Sequence, residues 1–234
     1  MQIPTTLHTN TFMSASMANL TPDEWAENDK RVAEWERTQN EQKYTHRFEN
    51  CGLGKKYLPC RFSNFRTEIK KQVELLAAGR VFSKSAVSGN WSALVMFGPN
   101  GTGKTHIAAA ILHDIIFSGR SGYYTTSEAL RARLHRAESF TSKETQKDIM
   151  DELTAYSVVV IDEIGRETTK TVEESNTLFA AIDTCYQNGV PVAIISNYTR
   201  EQLNMALGAA AVSRLSQVAI WMDTSGIPDQ RQKQ

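Results

Sequence analysis

The sequence predicts an α/β fold, with a mainly parallel five-stranded sheet between helices and a helical appendage at the N-terminus. Short apolar runs rich in β-branched residues alternate with segments of helical periodicity, the pattern of a parallel sheet with crossover helices. Two of those runs end in a glycine-rich and an acidic sequence, as strands do when they lead into a binding site. Residues 23–50 contain neither glycine nor proline and carry dense charge of both signs, which indicates a helix outside the sheet.

The first apolar run, residues 93–97, ends in the turn Gly-Pro-Asn-Gly-Thr-Gly-Lys-Thr, which leads directly into a helical segment. A strand, such a turn and a helix together are typical of a phosphate-binding loop. Its glycines let successive backbone N–H groups point at phosphate oxygens, and the start of the helix adds positive potential. We expect Lys104 to bind the β- and γ-phosphates of ATP and Thr105 to bind Mg²⁺. The expected nucleotide-binding residues are Gly98, Pro99, Asn100, Gly101, Thr102, Gly103, Lys104, Thr105 and His106.

A second buried-strand pattern, Val158–Ile161, ends in the acidic pair Asp162 and Glu163. Ligands in such sheets bind at the carboxyl ends of the strands, so Asp162 should hold the Mg²⁺ shell. Glu163 should orient or deprotonate the water that attacks the γ-phosphate. Asn197 follows another buried strand, residues 190–196, and should reach the same edge and position that water. An acidic pair after a strand is weak evidence by itself, and it becomes strong downstream of a phosphate loop.

The chain divides by composition into four parts. Residues 1–20 are rich in Thr, Asn and Ser and should be disordered. Residues 21–57 should form a helical segment and a linker, and residues 58–222 the nucleotide-binding domain. Residues 223–234 read as a loose polar tail.

The N-terminal helical segment begins at Thr21, a helix-capping residue followed by proline and by Glu24, which completes a capping box. Trp25, Val32 and Trp35 recur at roughly helical spacing and form a narrow apolar stripe. So sparse a stripe cannot build a core by itself. The segment should pack on the nucleotide-binding domain, on a second copy of itself or on a partner protein, and a solvated helix on its own domain is an equally good interpretation.

The remaining elements follow from apolar periodicity and from glycine or proline breaks. Helices are expected over residues 67–87, 103–117, 127–138, 142–153, 173–188 and 201–207. Strands are expected over residues 91–97, 122–126, 158–161, 190–197 and 218–222.

Composition restricts the classes of protein to consider. Lys plus Arg and Asp plus Glu both count 26, so contact with nucleic acid must come from a local patch or an assembled ring. The first 20 residues contain no Lys or Arg and no long apolar run, which favours a cytoplasmic protein without a signal peptide or membrane span. Cys51, Cys60 and Cys185 fit no disulfide or zinc pattern and should be free thiols.

The segments Phe97–Ile111 and Val160–Gly165 resemble the DnaC family of bacterial replicative helicase loaders, which belongs to the AAA+ ATPases. The resemblance includes the strand end at Asn197 and residues 208–215, and it spans about residues 58–222. It implies an AAA+ P-loop ATPase core that uses ATP and Mg²⁺.

The resemblance also implies a role for each predicted site residue. Lys104 and Thr105 would be the Walker A pair, and Asp162 and Glu163 the Walker B pair. Asn197 falls where the family has its sensor-1 residue.

The family assembles into a spiral or ring on the hexamer of its helicase, and Arg214 matches its arginine finger, which reaches a neighbouring subunit's nucleotide. Hydrolysis would therefore depend on assembly. Residues 21–50 fill the position of the family's helicase-binding segment, although their match is slight. The family contacts single-stranded DNA through the insert at residues 127–153, and a solvated helix face is the alternative interpretation. The candidate phosphate contacts there are Arg131, Arg133 and Arg136.

Two positions depart from the family pattern. Ala210 stands where familiar members carry an arginine, and residues 224–228 contain no counterpart of the sensor-2 arginine expected after the last strand. Arg231 is a poor substitute because it lies in the predicted loose tail. Hydrolysis should therefore be slow, or ATP sensing should work differently.

The expected function is an ATP-dependent loader of the replicative helicase onto single-stranded DNA. The main alternative is a transposition helper ATPase of the IstB type, which binds duplex DNA and a transposase, and the N-terminal segment distinguishes the two. A nucleotide-gated adaptor with little turnover would show the same low hydrolysis with and without Glu163. A small-molecule P-loop kinase would need an arginine-rich lid, and no such segment is evident.

Overall fold

A computed structural model describes residues 22–139, 141–165 and 172–233 of the chain. Contacts between residues divide the chain into two units, residues 1–43 and residues 44–234. No helix in the described part of the chain is long and apolar enough to cross a membrane.

The N-terminal helix α1 spans Pro22–Glu49, and its residues from Tyr44 onward belong to the second unit. Of the predicted apolar stripe, the structure describes the side chain of Trp35, which is 56% exposed. The predicted features that lie outside the described residues are the disorder of residues 1–20, the cap at Thr21 and the side chains of Trp25 and Val32.

The second unit alternates strands and helices along the chain. The strands are β1 Ala93–Phe97, β2 Gly122–Thr126, β3 Val158–Ile164, β4 Val192–Ser196 and β5 Ala219–Asp223. The helices after α1 are α2 Lys70–Val87, α3 Lys104–Phe117, α4 Ser127–Ala137, α5 Gln146–Thr154, α6 Val172–Gln187 and α7 Arg200–Ser216. Short 3₁₀ turns occur at Lys55–Tyr57, Phe62–Asn64 and Gln230–Lys233.

All five strands are parallel and form one sheet in the order β2-β3-β4-β1-β5. In the register, Phe97 at the end of β1 pairs with Ser196 of β4 and with Asp223 of β5. The carboxyl ends of these strands therefore lie at one edge of the sheet. This α/β architecture with a five-stranded parallel sheet is the predicted one.

Alternate residues of each central strand enter two apolar layers. Leu94 and Met96 of β1 pack with α2 and α3 on one face of the sheet. Ala93 and Val95 of the same strand pack with α4, α5, α6 and α7 on the other face. Because β1, β3 and β4 are covered on both faces, their sequences are continuous apolar runs rather than alternating ones.

Three helix boundaries differ from the prediction by more than one residue, and β3 runs to Ile164 rather than ending at residue 161. Helix α2 begins at Lys70 rather than at residue 67, where the Gln72 side chain accepts a hydrogen bond from the Ile69 N–H. Helix α5 begins at Gln146 rather than at residue 142, because Thr145 and Asp148 form a reciprocal capping box there. The two segments expected around residue 208 are joined as α7, which is kinked where Gly208 adopts a positive φ of 78°.

His113 of α3 contacts the last two turns of α1. Its ring stacks on Phe48 with centroids 3.8 Å apart, and its Nδ1 forms a hydrogen bond with the Tyr44 hydroxyl. The same hydroxyl accepts a bond of 3.1 Å from the Arg61 guanidinium. Burial lowers the pKa of His113 to about 4, and the nearby charge of Arg61 acts in the same direction. The folded protein therefore holds this imidazole neutral.

The free energy of unfolding should fall as the pH drops from about 6.5 towards 4. The pKa of His113 is lower in the folded state than in the unfolded state, so only the unfolded state takes up the proton in this window. The loss should reach about 3 kcal/mol at most. Denaturant unfolding across this range should show a shallower pH dependence for His113→Gln than for the parent chain. His135→Gln, which changes an exposed histidine, should keep the parent's slope, and an unchanged slope in His113→Gln would contradict the assignment.

Candidate nucleotide-binding site

The glycine-rich turn connects the end of β1 to the start of α3. Its three glycines, Gly98, Gly101 and Gly103, all have positive φ angles, which side chains with a β-carbon rarely adopt. Helix α3 starts at Lys104 immediately after Gly103. The first N–H groups of a helix thus open onto the loop, in the arrangement that binds phosphate.

Lys104 is buried, and its ammonium lies inside the loop. Nζ donates hydrogen bonds to the carbonyl oxygens of Gly98 at 2.7 Å and Pro99 at 2.6 Å. Burial lowers the pKa of Lys104 to about 8, the Asp162 carboxylate opposes this shift, and the charge of Arg231 adds to it. Phosphate oxygens in the loop would replace neutral carbonyls with anionic acceptors and favour the charged ammonium.

Thr105 and Asp162 form the oxygen pair predicted to hold Mg²⁺. Thr105 Oγ1 donates to Asp162 Oδ2 at 2.9 Å, and Tyr124 on the neighbouring strand β2 donates its hydroxyl to the same oxygen at 2.9 Å. The backbone N–H of Glu163 donates to Asp162 Oδ1 at 2.6 Å. Burial raises the pKa of Asp162, and these hydrogen bonds oppose that shift.

The chemistry of this pair fits Mg²⁺, which prefers oxygen ligands and commonly takes one or two protein oxygens together with phosphates and water. Within the described residues, no group of three or more His, Cys, Asp or Glu side chains is arranged to hold a metal. A cation at Thr105 and Asp162 would therefore complete its shell with nucleotide and water oxygens.

Glu163 has an unusual backbone conformation. Its φ is 59°, and it is the one residue other than glycine with a positive φ in the described ranges. The pairing of β3 with β4 shifts register between Ile161 and Ile164, so the strand bulges at the acidic pair. Glu163 is half-buried, and a strained backbone of this kind is often found at functional sites.

Asn197 is exposed and directly follows β4, at the sheet edge where β3 also ends. Its neighbour Ser196 is buried and joins the two strand ends, since Ser196 Oγ donates to the Ile164 carbonyl at 2.7 Å. The structure therefore places Asn197 at the same edge as the acidic pair. Its role in positioning water stays a prediction.

The C-terminal tail is not loose, which corrects the prediction. Thr224 donates to the Phe97 carbonyl at 2.9 Å, and the backbone N–H of Gln230 donates to the Gly101 carbonyl at 2.9 Å. Thr102 is bonded twice, through its hydroxyl to Thr224 and through its carbonyl to Gln230 Nε2. We call residues 224–230 the C-terminal strap.

The strap lies so close to the phosphate loop that a β-carbon on Gly101 would stand 2.0 Å from the Asp229 carboxylate. Sequence analysis missed the strap because its bonds connect residues far apart in the chain. One signal could have found it: the apolar residue Ile227 interrupts the polar tail, and the structure buries it.

The segment before α2 also contacts the start of α3. His106 Nε2 donates to the Arg61 carbonyl at 2.9 Å, and its ring meets Phe65 edge-on with centroids 5.3 Å apart. The Phe65 ring leaves no space for a β-carbon on Gly103. The side chain of His106 is therefore engaged by protein groups, and its role in nucleotide binding stays a prediction.

Arg214 lies apart from the phosphate loop of its own chain. It forms an ion pair with Asp183 of α6, and its guanidinium lies over the Tyr186 ring at 5.0 Å. Tyr186 in turn contacts Trp91, which precedes β1, whereas the phosphate loop follows the end of β1. The structure thus does not bring Arg214 together with the other predicted catalytic residues within one chain.

The three arginines predicted to contact DNA lie on α4 in different surroundings. Arg133 Nε donates to Glu144 at 3.0 Å, and its guanidinium also bonds to Glu152. Arg131 is half-buried and Arg136 is exposed. A phosphate at Arg133 would have to compete with two carboxylates, so Arg136 is the most accessible of the three.

The five-stranded parallel sheet, the phosphate loop and the acidic strand end together define a P-loop nucleotide-binding protein of the AAA+ class. A family model described as IstB-like ATP binding protein matches residues 52–216, more than half of the chain. The chain belongs to this family of ATP-binding proteins.

The chain is also similar to a curated relative, the replicative helicase loader DnaC of Escherichia coli (strain K12). The two are 26% identical over 186 residues, which covers 79% of this chain and 74% of the relative. This similarity confirms the resemblance to DnaC loaders predicted from the sequence.

Solved structures confirm the fold. The crystal structure of the DnaC helicase loader matches with a TM-score of 0.62 at 23% identity, covering 73% of this chain and 99% of that one. The structure of AMPPCP-bound DnaA from Aquifex aeolicus matches with a TM-score of 0.56 at 17% identity, covering 73% of this chain and 51% of that one. The predicted AAA+ core is therefore correct.

A chain that ends at Pro228 should bind ATP about five-fold more weakly than the parent, because it loses both hydrogen bonds from Gln230 to the loop. Binding can be measured by titration with a fluorescent ATP analogue. A matched chain that ends at Arg231 keeps both bonds and should bind like the parent. Equal affinity in the two shortened chains would show that the strap does not order the loop.

Proposed function

We propose that this protein is an ATP-dependent loader of a replicative DNA helicase onto single-stranded DNA. The observation that carries the proposal is the similarity to a helicase loader along most of both chains. The connected site formed by Lys104, Thr105 and Asp162 supports it, since a loader driven by ATP needs a complete phosphate and metal site.

In the proposed hydrolysis, the backbone N–H groups of residues 101–105 and the Lys104 ammonium bind the phosphates. Thr105 and Asp162 would hold Mg²⁺, which would supply positive charge at the phosphates. Glu163 orients the attacking water and accepts its proton, and Asn197 helps to position that water. Turnover should be slow in the isolated chain, since Arg214 is proposed to act in the site of a neighbouring subunit.

Mixing two inactive variants tests both catalytic assignments. Glu163→Gln removes the base and Arg214→Ala removes the finger, so each should bind ATP normally and lose assembly-dependent hydrolysis. In an equal mixture, about a quarter of the subunit interfaces combine an intact Glu163 with a neighbour's Arg214, and that share of activity should return. The readout is phosphate release in the presence of helicase and DNA.

The mixture separates the alternatives. No recovery from two inactive variants would mean that Arg214 acts within its own chain. Parental hydrolysis by Arg214→Ala alone would mean that Arg214 takes no part in the reaction. A Glu163→Gln protein that hydrolyses as little ATP as the parent would favour a nucleotide-gated adaptor instead. Arg120→Ala changes an exposed arginine that has no proposed role, and it should hydrolyse ATP like the parent in the same assay.

The proposed grip on the helicase lies in residues 21–50. Helix α1, Pro22–Glu49, lies within this range, and its Trp35 exposes a large aromatic side chain, a residue type that often dominates protein interfaces. The proposed DNA contacts are Arg131, Arg133 and Arg136, with Arg136 the most accessible.

Full-length Trp35→Ala should bind a replicative helicase hexamer at least about 10-fold more weakly than the parent, as expected for an interface aromatic. Co-elution on a sizing column, with ATP and then with ADP, measures the complex. Gln42→Ala changes an exposed polar residue of the same helix and should co-elute like the parent. A chain that starts at Tyr44 keeps the buried Phe48 and should lose the complex while remaining folded.

The second candidate is a transposition helper ATPase that binds duplex DNA. This candidate is supported by the matching family model, which is described as IstB-like ATP binding protein. Absence of a complex with the helicase, combined with tight binding to duplex DNA by the parent chain, would support this candidate and overturn the loader.

A further inference from the structure

Tyr124 lies on β2 with its hydroxyl at the metal pair. The hydroxyl donates to Asp162 Oδ2 at 2.9 Å, the same oxygen that accepts the Thr105 hydroxyl at 2.9 Å. None of the roles assigned above uses this residue, although it touches the carboxylate on which Mg²⁺ binding depends.

The Asp162 carboxylate is nearly inaccessible to solvent, with an exposure of 3%. A buried carboxylate is costly unless its oxygens accept hydrogen bonds. Oδ1 accepts from the Glu163 N–H, and Oδ2 accepts from the two hydroxyls. Together these donors fix the orientation of the carboxylate plane. The Thr105 hydroxyl is itself an expected metal ligand, whereas the Tyr124 hydroxyl is not. The bond from Tyr124 therefore acts on the metal only through Asp162.

The strand position of Tyr124 is fixed from both sides. On one side β2 pairs in parallel with β3, where Tyr124 lies opposite Val160. On the other side the Tyr124 N–H donates to the Cys51 carbonyl at 2.6 Å. Gly52 lies so close that a β-carbon would stand 2.2 Å from the Tyr124 carbonyl oxygen. The turn that follows α1 thus covers the edge of β2 where the tyrosine side chain starts.

We propose that Tyr124 is a positioning residue for the nucleotide-bound Mg²⁺, whose hydroxyl holds Asp162 Oδ2 in the orientation that lets Thr105 and Asp162 act on one cation. The proposal deepens the proposed function and rests on it only for the binding of ATP with Mg²⁺. A hydrogen bond behind a metal ligand typically changes metal affinity or activity by 10- to 100-fold when it is removed.

The test is the Mg²⁺ dependence of nucleotide binding by the full chain, measured with a fluorescent ATP analogue in EDTA and across a Mg²⁺ titration. Tyr124→Phe keeps the ring and removes the hydroxyl. We expect its affinity in EDTA to match the parent and its Mg²⁺ midpoint to rise about 10-fold. Tyr156→Phe removes a hydroxyl that donates to Glu152 and has no contact with the metal pair. It should match the parent in both measurements.

Two outcomes would overturn the proposal. A parental Mg²⁺ midpoint in Tyr124→Phe would show that the hydroxyl does not position the metal ligand. An equal loss of affinity in EDTA and in Mg²⁺ would show a merely structural role. A parent chain that binds no ATP in either condition would instead overturn the nucleotide site itself. A failure to bind helicase leaves this measurement unaffected, because no helicase is present in it.

Discussion

The hydrogen bond from Thr105 to Asp162 is the contact on which the nucleotide site depends. It joins the first turn of α3, which follows β1, to the end of β3, and in the sheet β4 lies between these two strands. The bond can form only because all three strands are parallel and end at the same edge. Strand order alone then places Asn197, which follows β4, between the phosphate loop and the acidic pair. The Thr105–Asp162 hydrogen bond can therefore form only when the carboxyl ends of β1, β4 and β3 are aligned.

The packed sheet also stabilises the strained backbone conformation at Glu163. A non-glycine residue with φ near 60° costs on the order of 1–3 kcal/mol, and such a conformation persists only where its surroundings enforce it. Here the Glu163 N–H is held by Asp162 Oδ1, and its carbonyl accepts a hydrogen bond from Ser127 at 3.2 Å. The apolar layers on both faces of β3 stabilise the strand and so offset the energetic cost of this conformation.

Sequence reasoning was accurate where the signal is local. The phosphate loop was predicted between a short apolar strand and a helix, and β1 and α3 occupy those places. The acidic pair was predicted just after residues 158–161, and the structure has it inside β3, which continues to Ile164. It failed for Tyr124 and for the strap, whose bonds join residues more than 30 positions apart and leave no periodic pattern. It also could not show that Arg133 is paired with two carboxylates, because Glu144 and Glu152 lie on a different part of the chain.

The Asp183–Arg214 ion pair bears on how assembly could control hydrolysis. In the proposed mechanism Arg214 leaves or shares Asp183 when it reaches a neighbour's nucleotide. The side chains of Arg214 and Asp183 are 34% and 18% exposed, so the pair is partly buried, and separating a buried pair can cost up to about 3–5 kcal/mol. An arginine finger accelerates hydrolysis 10³- to 10⁵-fold, which corresponds to about 4–7 kcal/mol in the transition state. The gain in the transition state is therefore of the same order as the cost of separating Arg214 from Asp183, so the ion pair and a neighbour's nucleotide would compete for this side chain.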